Sequence, residues 1–569
     1  MKKFAYILLA ASLTLCGCVS MDMTPKSQGN SASWYSTETE LDMAVNEFYV
    51  LGYWDYLSSS ERWTDNNTYR NINYNTPILD GNVNGDTWDC YHIWEQCYKL
   101  ISRANALLDN IHRAEEIGVN AEKLNRYRAE AYFARACKYG DLIFLFGDVP
   151  YIDKFQTIEE AELNGRVDKT EILGKVYEEL DFAAEHLPAS YTGASTHFTK
   201  GAALAMKARY ALYMGDWDTA AKAAAACMKL GYSLEKDYST IFLEETRQIP
   251  EKIFVIPRSE TAKVVLDTWV VKNAIPRNAG GYAAYTPSWD LLAAYLCTDG
   301  LPIDESPLFD SKNPFANRDP RCTKTIVEFG TGHMGFIYDP SPAATKTTKL
   351  ADNTQVTNND SRIVHEYASF NGLVLKKGVS ESWLENFPDG NDTDFVLMRY
   401  ADVLLMYAEA KIELGEIDAS VLNAINSVRS RAYGVSVTDT NFYPAVTSTD
   451  QAALRKAVRI ERRMELAYEN LRYADLIRWR LAGKVLNLSN YINLDPQACL
   501  DNVVNKGYWF WGITPEIDED GVADFSALFN ANLCQKGAQR VFPDRQYLMP
   551  LPSHDIELSG GHLTNNPDY

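Results

Sequence analysis

The chain has 569 residues, and 46% of them are hydrophobic, which indicates a globular protein with about three to four domain-sized units. Its formal net charge of −21 at pH 7 gives a surface that repels phosphate backbones, so nucleic acid is not an expected partner. After the N-terminal segment, no apolar run approaches the roughly 18 residues that a membrane-spanning helix needs.

The N-terminal segment has the organisation of an export signal. Two lysines precede an apolar run at 4–15, which is too short to span a membrane. The run ends in the motif Leu15-Cys16-Gly17-Cys18. This motif resembles the Leu-x-Gly-Cys lipobox of bacterial lipoproteins, which implies a signal peptide at 1–17 and a diacylglycerol on the thiol of Cys18. An ordinary secretory signal with two incidental cysteines is the alternative.

The rest of the chain divides by composition. Residues 18–34 are small and polar and are predicted to form a lipidated tether. Residues 35–231 carry apolar side chains every three or four positions, which predicts helices, and 203–220 resembles a tetratricopeptide-type hairpin. Residues 232–569 are richer in Pro, Gly, Asn and Asp, which predicts long loops. Within them we predict an isolated strand at 253–256 and helices at 396–414, 419–431 and 450–480.

These patterns predict the class and layout of the fold. We expect a mostly α protein in which tetratricopeptide-like helical hairpins at 35–231 pack against a loop-rich C-terminal region at 232–569. Small residues on facing helices of the hairpins favour close packing.

A regular series of charged residues lies in the last of these predicted helices. The series comprises Glu461, Glu465, Glu469, Arg472, Asp475 and Arg478. Spacings of three and four residues allow ion pairs along one helix face and with neighbouring helices. We therefore expect a structural charge network from these carboxylates, and not acid–base catalysis.

Sequence motifs for catalysis and metal binding are absent. The eight histidines are dispersed without an HExxH pattern, and neither a GxSxG elbow nor a Walker loop occurs. The eight cysteines after Cys18 are scattered without CxxC pairs, so we expect mostly buried small side chains and no disulfide scaffold. The acidic turn at 518–521 is a candidate calcium site, but it lacks the EF-hand spacing, and no cofactor is predicted.

Aromatic residues make up 12% of the chain, and two loops concentrate them where no core is obvious. Rings with a polar tip suit flat, hydrated ligands such as sugars, and nearby amides can hydrogen-bond hydroxyl groups. One loop precedes a predicted helix around Trp94, and the other precedes a helix that begins near Pro287. The candidate ligand-binding residues are Trp63, Asn66, Tyr69, Tyr74 and Trp88 from the first loop and Trp269, Tyr282 and Tyr285 from the second.

Several ordered motifs carry a resemblance to a known family. They lie at 94–105, 299–303, 317–321, 399–410, 424–431, 461–479, 547–552 and 565–569, and the penultimate one reads Tyr-Leu-Met-Pro-Leu-Pro. Together with the lipobox they resemble the SusD/RagB family of Bacteroidetes outer-membrane lipoproteins. The last motif departs slightly from the family pattern, because Asn565 and Asp568 stand where Gln and Gly are usual.

The resemblance implies a SusD-like fold and a protein that its lipid anchors in the outer membrane, exposed at the cell surface. The implied role is to capture an oligosaccharide or polysaccharide and to deliver it to a SusC-like TonB-dependent transporter. Such a role needs neither bond cleavage nor a cofactor. The binding loops of the family vary with the ligand, so no contact residue is transferred from it.

Three alternatives remain open. A RagB-like member would bind peptides, and a pocket dominated by charged groups over stacking rings would favour it. A glycan-degrading enzyme needs only two carboxylates roughly 5 to 10 Å apart, which the sequence does not exclude. A scaffold that docks a protein partner through its repeats would have no small ligand.

Overall fold

The computed structural model describes residues 34–70, 73–191, 193, 196–385 and 390–569. The predicted signal peptide, the lipidation site Cys18 and the tether up to residue 33 lie outside the described residues. Within the described ranges, no helix is long and apolar enough to cross a membrane.

The N-terminal part is a stack of helices. They are α1 (Glu38–Asn46), α2 (Trp88–Asn110), α3 (His112–Glu116), α4 (Ala121–Phe146), α5 (Ile158–Ala161), α6 (Lys169–His186), α7 (Lys200–Tyr213) and α8 (Trp217–Met228). Each long helix packs against the next one, in the order α2, α4, α6, α7 and α8. The stack confirms the predicted mostly α fold, because apolar side chains at three- and four-residue spacing need a neighbouring helix to cover them.

Small residues allow these helices to approach closely. Gly140 in α4 faces α7, and a Cβ atom at this position would lie 2.5 Å from the ring of Tyr210. The hydroxyl of Tyr210 donates to the carbonyl of Cys137 at 2.8 Å, so the ring fills the space beside the glycine. Cys137 and the other seven cysteines in the described part of the chain are buried and form no disulfide.

The C-terminal part has shorter helices and longer loops. Its helices are α9 (Thr268–Ala274), α10 (Trp289–Ala294), α11 (Arg321–Thr325), α12 (Tyr400–Glu413), α13 (Ala419–Ala432), α14 (Gln451–Leu466), α15 (Arg472–Arg478), α16 (Ala482–Val485), α17 (Pro496–Cys499), α18 (Ser526–Asn530) and α19 (Ser553–Leu558). Helix α12 packs against α8 and also against α13 and α14, so the helical stack continues into this part. The largest hydrophobic core accordingly contains side chains from both parts.

The strands are short and form small antiparallel sheets. They are β1 (Asn67–Tyr69), β2 (Lys252–Ile256), β3 (Tyr285–Pro287), β4 (Thr331–His333), β5 (Phe336–Tyr338), β6 (Lys346–Lys349), β7 (Thr354–Thr357), β8 (Phe395–Arg399), β9 (Ser489–Ile492), β10 (Glu516–Ile517), β11 (Ala523–Asp524) and β12 (Gln535–Gln539). Strands β4 to β7 form one four-stranded sheet, and the two-stranded pairs are β1–β3, β2–β8, β9–β12 and β10–β11.

Two local predictions for the C-terminal part are wrong. The strand predicted at 253–256 is not isolated, because β2 pairs with β8, whose last four residues were predicted to be helical. The helix predicted at 450–480 is two helices, α14 and α15, with Tyr468 and Asn470 at positive φ between them. Side-chain spacing does not reveal a partner strand or a left-handed turn, since both depend on contacts that are distant in sequence.

A network of buried ion pairs joins the elements of the C-terminal part. Arg399, at the end of β8, donates to Glu251 at 2.7 Å and to Glu465 at 2.6 Å. Glu465, in α14, also accepts from Arg321 at 2.9 Å and from Arg431. All five side chains are buried, and both carboxylate oxygens of Glu465 have cationic partners. These contacts confirm the predicted structural role of the charged series.

A second buried cluster surrounds Asp402 in α12. Its carboxylate accepts from Arg209 in α7 and from Arg462 in α14, each at 2.7 Å. Arg462 also donates to Asp475 in α15 at 3.1 Å. Burial opposes the ionisation of Asp402, but the two guanidinium groups outweigh it and lower the pKa of this carboxyl to about 2. The cluster thereby links helices from both parts of the chain.

Replacing Glu465 by Gln is expected to lower the free energy of unfolding by about 3–5 kcal/mol, because the change leaves buried guanidinium groups without their shared anion. Urea unfolding followed by circular dichroism measures the effect. Glu185→Gln, at an exposed carboxylate of α6, is the matched control. It should change the free energy of unfolding by less than about 0.5 kcal/mol. Equal midpoints for the two variants would contradict a structural role for the network.

Stability is also expected to fall as the pH decreases through the acid range. The folded-state pKa of Asp402, about 2, lies below the value of about 3.9 for an aspartate in an unfolded chain. Its contribution is therefore complete well above pH 4 and is lost as the pH falls toward 2. Urea midpoints measured from pH 7 to pH 3 should decrease, and Asp402→Asn should flatten that decrease. A wild-type midpoint that stays constant or rises on acidification would sink this expectation.

Candidate ligand-binding site

A short antiparallel ladder brings the two predicted aromatic loops together. Strand β1 pairs with β3 in a register that places Tyr69 opposite Tyr285. Residues directly opposite each other project from the same face of the ladder, and these two ring centroids are 5.0 Å apart. The ring of Tyr74 lies 4.6 Å from that of Tyr69. Three tyrosines from two distant segments therefore form one group, which we call the tyrosine cluster.

A guanidinium group borders the tyrosine cluster, whereas the predicted contact residue Trp88 stands apart from it. Arg62 lies over the ring of Tyr285 at 4.7 Å and donates to the hydroxyl of the same residue at 3.0 Å. Trp88, the first residue of α2, is 62% exposed and stacks on His92 with centroids 4.4 Å apart. Among the described residues, Trp88 makes no ring contact with the tyrosine cluster itself. Trp88 is therefore an exposed ring outside the tyrosine cluster.

A second group of rings flanks the same ladder, where Arg70 follows β1 and Tyr282 precedes β3. Trp269, in α9, is 52% exposed, and its ring centroid is 5.8 Å from that of Tyr282. The guanidinium carbon of Arg70 lies 5.5 Å from the centroid of Tyr282 and 5.3 Å from that of Tyr367. Arg277 approaches the same two rings at 5.5 and 5.9 Å. We call these five residues the arginine–aromatic cluster.

Local hydrogen bonds hold the arginine–aromatic cluster in place. Helix α9 begins after Asp267, whose carboxylate accepts from the backbone N–H of Trp269 at 2.6 Å. The Nε of Arg277 donates to the carbonyl of Tyr367 at 2.9 Å. Asp360 accepts from the backbone N–H of Arg277 at 2.6 Å, and burial raises the pKa of this carboxyl to about 6. A surface positioned in this way loses little entropy when a ligand binds.

Two of the predicted ligand-binding residues belong to the core instead. Trp63 has no exposed surface and packs edge-on against Tyr473, with ring centroids 5.4 Å apart. Asn66 is equally buried, where its Nδ2 donates to Glu61 at 2.8 Å and its Oδ1 accepts from Arg463 at 3.1 Å. Neither side chain reaches the surface, so we leave both outside the candidate site. Polar and aromatic residues occur throughout their loop, so its composition does not distinguish buried side chains from exposed ones.

Sequence reasoning missed three members of the arginine–aromatic cluster. Arg70 directly follows Tyr69, and Arg277 lies between Trp269 and Tyr282 in the sequence. Their closeness to predicted contact residues could have marked both arginines as candidates. Tyr367 is far from both loops in sequence, and nothing around it marks it as part of a site. Only the folded chain places its ring beside the two arginines that also approach Tyr282.

The acidic turn that was a candidate calcium site surrounds a lysine side chain. The Nζ of Lys484 lies 2.8 Å from Asp518 and 2.5 Å from Asp520. Within the part of the chain that the structure describes, no group of three or more His, Cys, Asp or Glu side chains is arranged to hold a metal. The two aspartates of the turn therefore form ion pairs with the protein's own lysine.

Two family models match the chain. A model described as the SusD family matches residues 250–569, and a model described as starch-binding and associating with the outer membrane matches residues 21–212. Among curated proteins, SusD-like protein P2 of Formosa agariphila is 24% identical over 609 aligned positions, which cover 100% of both chains.

Solved structures share the architecture as well. A SusD-like carbohydrate-binding protein from Bacteroides fragilis has a TM-score of 0.75 at 28% identity, covering 92% of this chain and 98% of that one. A laminarin-binding SusD-like protein has a TM-score of 0.63 at 17% identity, covering 94% of this chain and 100% of that one. Because the SusD model matches more than half of the chain, including the buried charge network, the protein belongs to the SusD family.

Proposed function

We propose that the protein captures an oligosaccharide or polysaccharide at the cell surface and delivers it to a SusC-like TonB-dependent transporter. The observation that carries the proposal is the β1–β3 register, which joins rings from two distant loops on one surface. Tyr74, Trp269 and Tyr367 are each between 41% and 52% exposed, although burial is the usual fate of large rings. An array of exposed rings is a surface on which pyranose faces can stack.

The comparisons support this proposal by analogy. One structural relative is named as carbohydrate-binding and another as laminarin-binding, and both share the fold over nearly the whole chain. The model that matches residues 21–212 carries a description of starch binding and of association with the outer membrane. These names describe the relatives, and for this chain they favour a glycan over other ligand classes.

The proposed mechanism is recognition without bond cleavage. Rings of the two clusters stack on sugar faces, and the nearby guanidinium groups of Arg62, Arg70 and Arg277 donate to hydroxyl oxygens. The conspicuous carboxylates, among them Glu465 and Asp402, are buried in ion pairs and are not open to a substrate. In the proposal, Cys18 carries the lipid that holds this surface outside the outer membrane.

The first experiment is calorimetry or affinity electrophoresis of the full lipidated chain, in non-ionic detergent, against plant, host and microbial polysaccharides and a peptide digest. Tight binding of a polysaccharide without new reducing ends would support glycan capture. Heat from the peptides alone would move the function to peptide uptake. New reducing ends that disappear on substitution of one carboxylate would move it to hydrolysis.

Replacing Trp269 or Tyr282 by Ala is expected to weaken binding of that polysaccharide by about 1–3 kcal/mol, a factor of about 5 to 150 in Kd, because each ring supplies a stacking surface. Calorimetry of the two variants measures the loss. Phe442→Ala, at a ring that is 72% exposed elsewhere on the surface, is the matched control. Unchanged affinity in both site variants would rule out this surface as the binding site.

Replacing Cys18 by Ala is expected to abolish lipid attachment, because alanine has no nucleophile for the diacylglycerol transfer. Metabolic labelling with a radioactive fatty acid measures attachment, and Cys16→Ala is the matched control that should remain labelled. Label on the Cys18→Ala protein would contradict the lipobox interpretation of this segment.

A further inference from the structure

Three cationic side chains approach the ring of Tyr282 in the arginine–aromatic cluster. Arg70 and Arg277 lie against the same two rings, Tyr282 and Tyr367, at 5.3 to 5.9 Å. The Nζ of Lys272 lies 5.8 Å from the centroid of Tyr282. The whole chain carries a formal net charge of −21, so cations gathered on one exposed surface run against its overall charge.

The two arginines differ from the arginines of the core in their partners. Within the described ranges, no carboxylate lies within 4.0 Å of the guanidinium group of Arg70 or Arg277, whereas Arg399 contacts three carboxylates. Arg70 donates from Nη1 to the carbonyl of Tyr282 at 3.4 Å, and Arg277 donates from Nε to the carbonyl of Tyr367 at 2.9 Å. The described residues offer no acceptor to the terminal amino groups of Arg277.

Asp360, the acid whose charge acts on Arg277, does not contact its guanidinium group. Asp360 is buried, and its oxygens accept from the backbone N–H groups of Arg277 at 2.6 Å and Asn278 at 3.4 Å. Burial and then the neighbouring charge of Arg70 lower the pKa of Arg277. Burial, followed by the charge of Arg277, also lowers the pKa of His365. In both groups the charge of a neighbouring arginine acts in the same direction as burial, and the charges of Asp360 and Glu366 oppose it.

Holding Arg70 and Arg277 near each other costs electrostatic free energy, which a bound anion would offset. Two guanidinium groups held near each other repel, and partial burial removes water that would otherwise solvate them. A guanidinium group presents parallel N–H donors that match the oxygens of a carboxylate or a sulfate ester. The neighbouring rings, meanwhile, offer faces to a sugar that carries such a group.

Building on the proposed function, we infer that the ligand is an acidic glycan, whose carboxylate or sulfate groups bind Arg70 and Arg277 while its sugar rings stack on Tyr282, Tyr367 and Trp269. A carboxylate is planar and a sulfate ester is tetrahedral, but both present oxygen atoms that accept hydrogen bonds from a guanidinium group. Uronic acids and sulfated sugars are therefore the two sources of this chemistry.

The test compares matched polysaccharides in which one kind of anionic group is masked or removed. The full lipidated chain in non-ionic detergent is titrated with polygalacturonate and its methyl-esterified form, and with chondroitin sulfate and its desulfated form. Further acidic polysaccharides, neutral polysaccharides and an acidic peptide complete the panel. We expect at least one acidic polysaccharide to bind at least tenfold more tightly than its charge-depleted partner, and to lose that advantage at high salt. The first pair reports on carboxylate groups and the second on sulfate groups.

Substitutions in the arginine–aromatic cluster test whether its arginines bind the acidic polysaccharide. Arg277→Gln and Arg70→Gln should each weaken binding of the acidic polysaccharide by about 10- to 150-fold, which corresponds to loss of one charge-assisted contact. Arg277→Lys keeps the charge but loses the parallel donors, so it should fall between wild type and Arg277→Gln. Arg103→Gln, at a side chain that is 62% exposed in α2, is the matched control. Thermal unfolding of each variant separates a binding defect from a folding defect.

Failure of this inference can be told apart from failure of the proposed function. Binding of neutral polysaccharides that depends on Trp269 but not on Arg70 or Arg277 overturns the acidic ligand and leaves glycan capture intact. Equal affinity within each matched pair, or no binding by any acidic polysaccharide, likewise overturns it. Binding of the acidic peptide with silence from every polysaccharide overturns both.

Discussion

The ion pairs of Glu465 are the interaction on which the C-terminal part of this structure depends. A buried carboxylate without partners would cost several kcal/mol, so its oxygens must meet Arg321, Arg399 and Arg431. These three arginines come from α11, β8 and α13, which are separated by long loops. Satisfying one glutamate therefore sets the relative positions of four elements. Hydrophobic packing alone would constrain these short elements less sharply, because it is non-directional.

Buried ion pairs also lie next to the strands that carry the candidate site. Asp65 lies one residue before Asn66 in the loop that leads into β1, and its carboxylate accepts from Arg472 at 2.9 Å. Although burial opposes it, the charges of Arg463 and Arg472 hold the pKa of Asp65 well below its usual range. The carbonyl of Asn66 accepts from the backbone N–H of Ser288, just after β3. The pairing that brings Tyr69 opposite Tyr285 thus rests on charge contacts beneath it.

Arginine side chains occupy two kinds of surroundings that the sequence context does not distinguish. Arg399 and Arg462 are buried among carboxylates and serve the fold, whereas Arg70 and Arg277 lie among rings at the surface. The difference lies in what the fold places within a few ångströms of each guanidinium group. Trp63 and Trp269 show the same divergence among rings, since one is fully buried and the other is 52% exposed. Loop composition predicted both as ligand contacts, but only Trp269 has a ring that reaches the surface.

Local patterns in the sequence determined the helical class, the hairpins of the N-terminal part and the structural character of the Glu461 series, because these depend on spacing within one helix. The ordered motifs also pointed to the SusD family, which the family model bears out. Only the tertiary structure decided that β2 pairs with β8, that the predicted helix at 450–480 breaks near Tyr468, and that Arg70 lies over the rings of both Tyr282 and Tyr367. Each of these features depends on contacts between residues far apart in the chain, and a linear pattern carries no record of which distant segment will supply the partner.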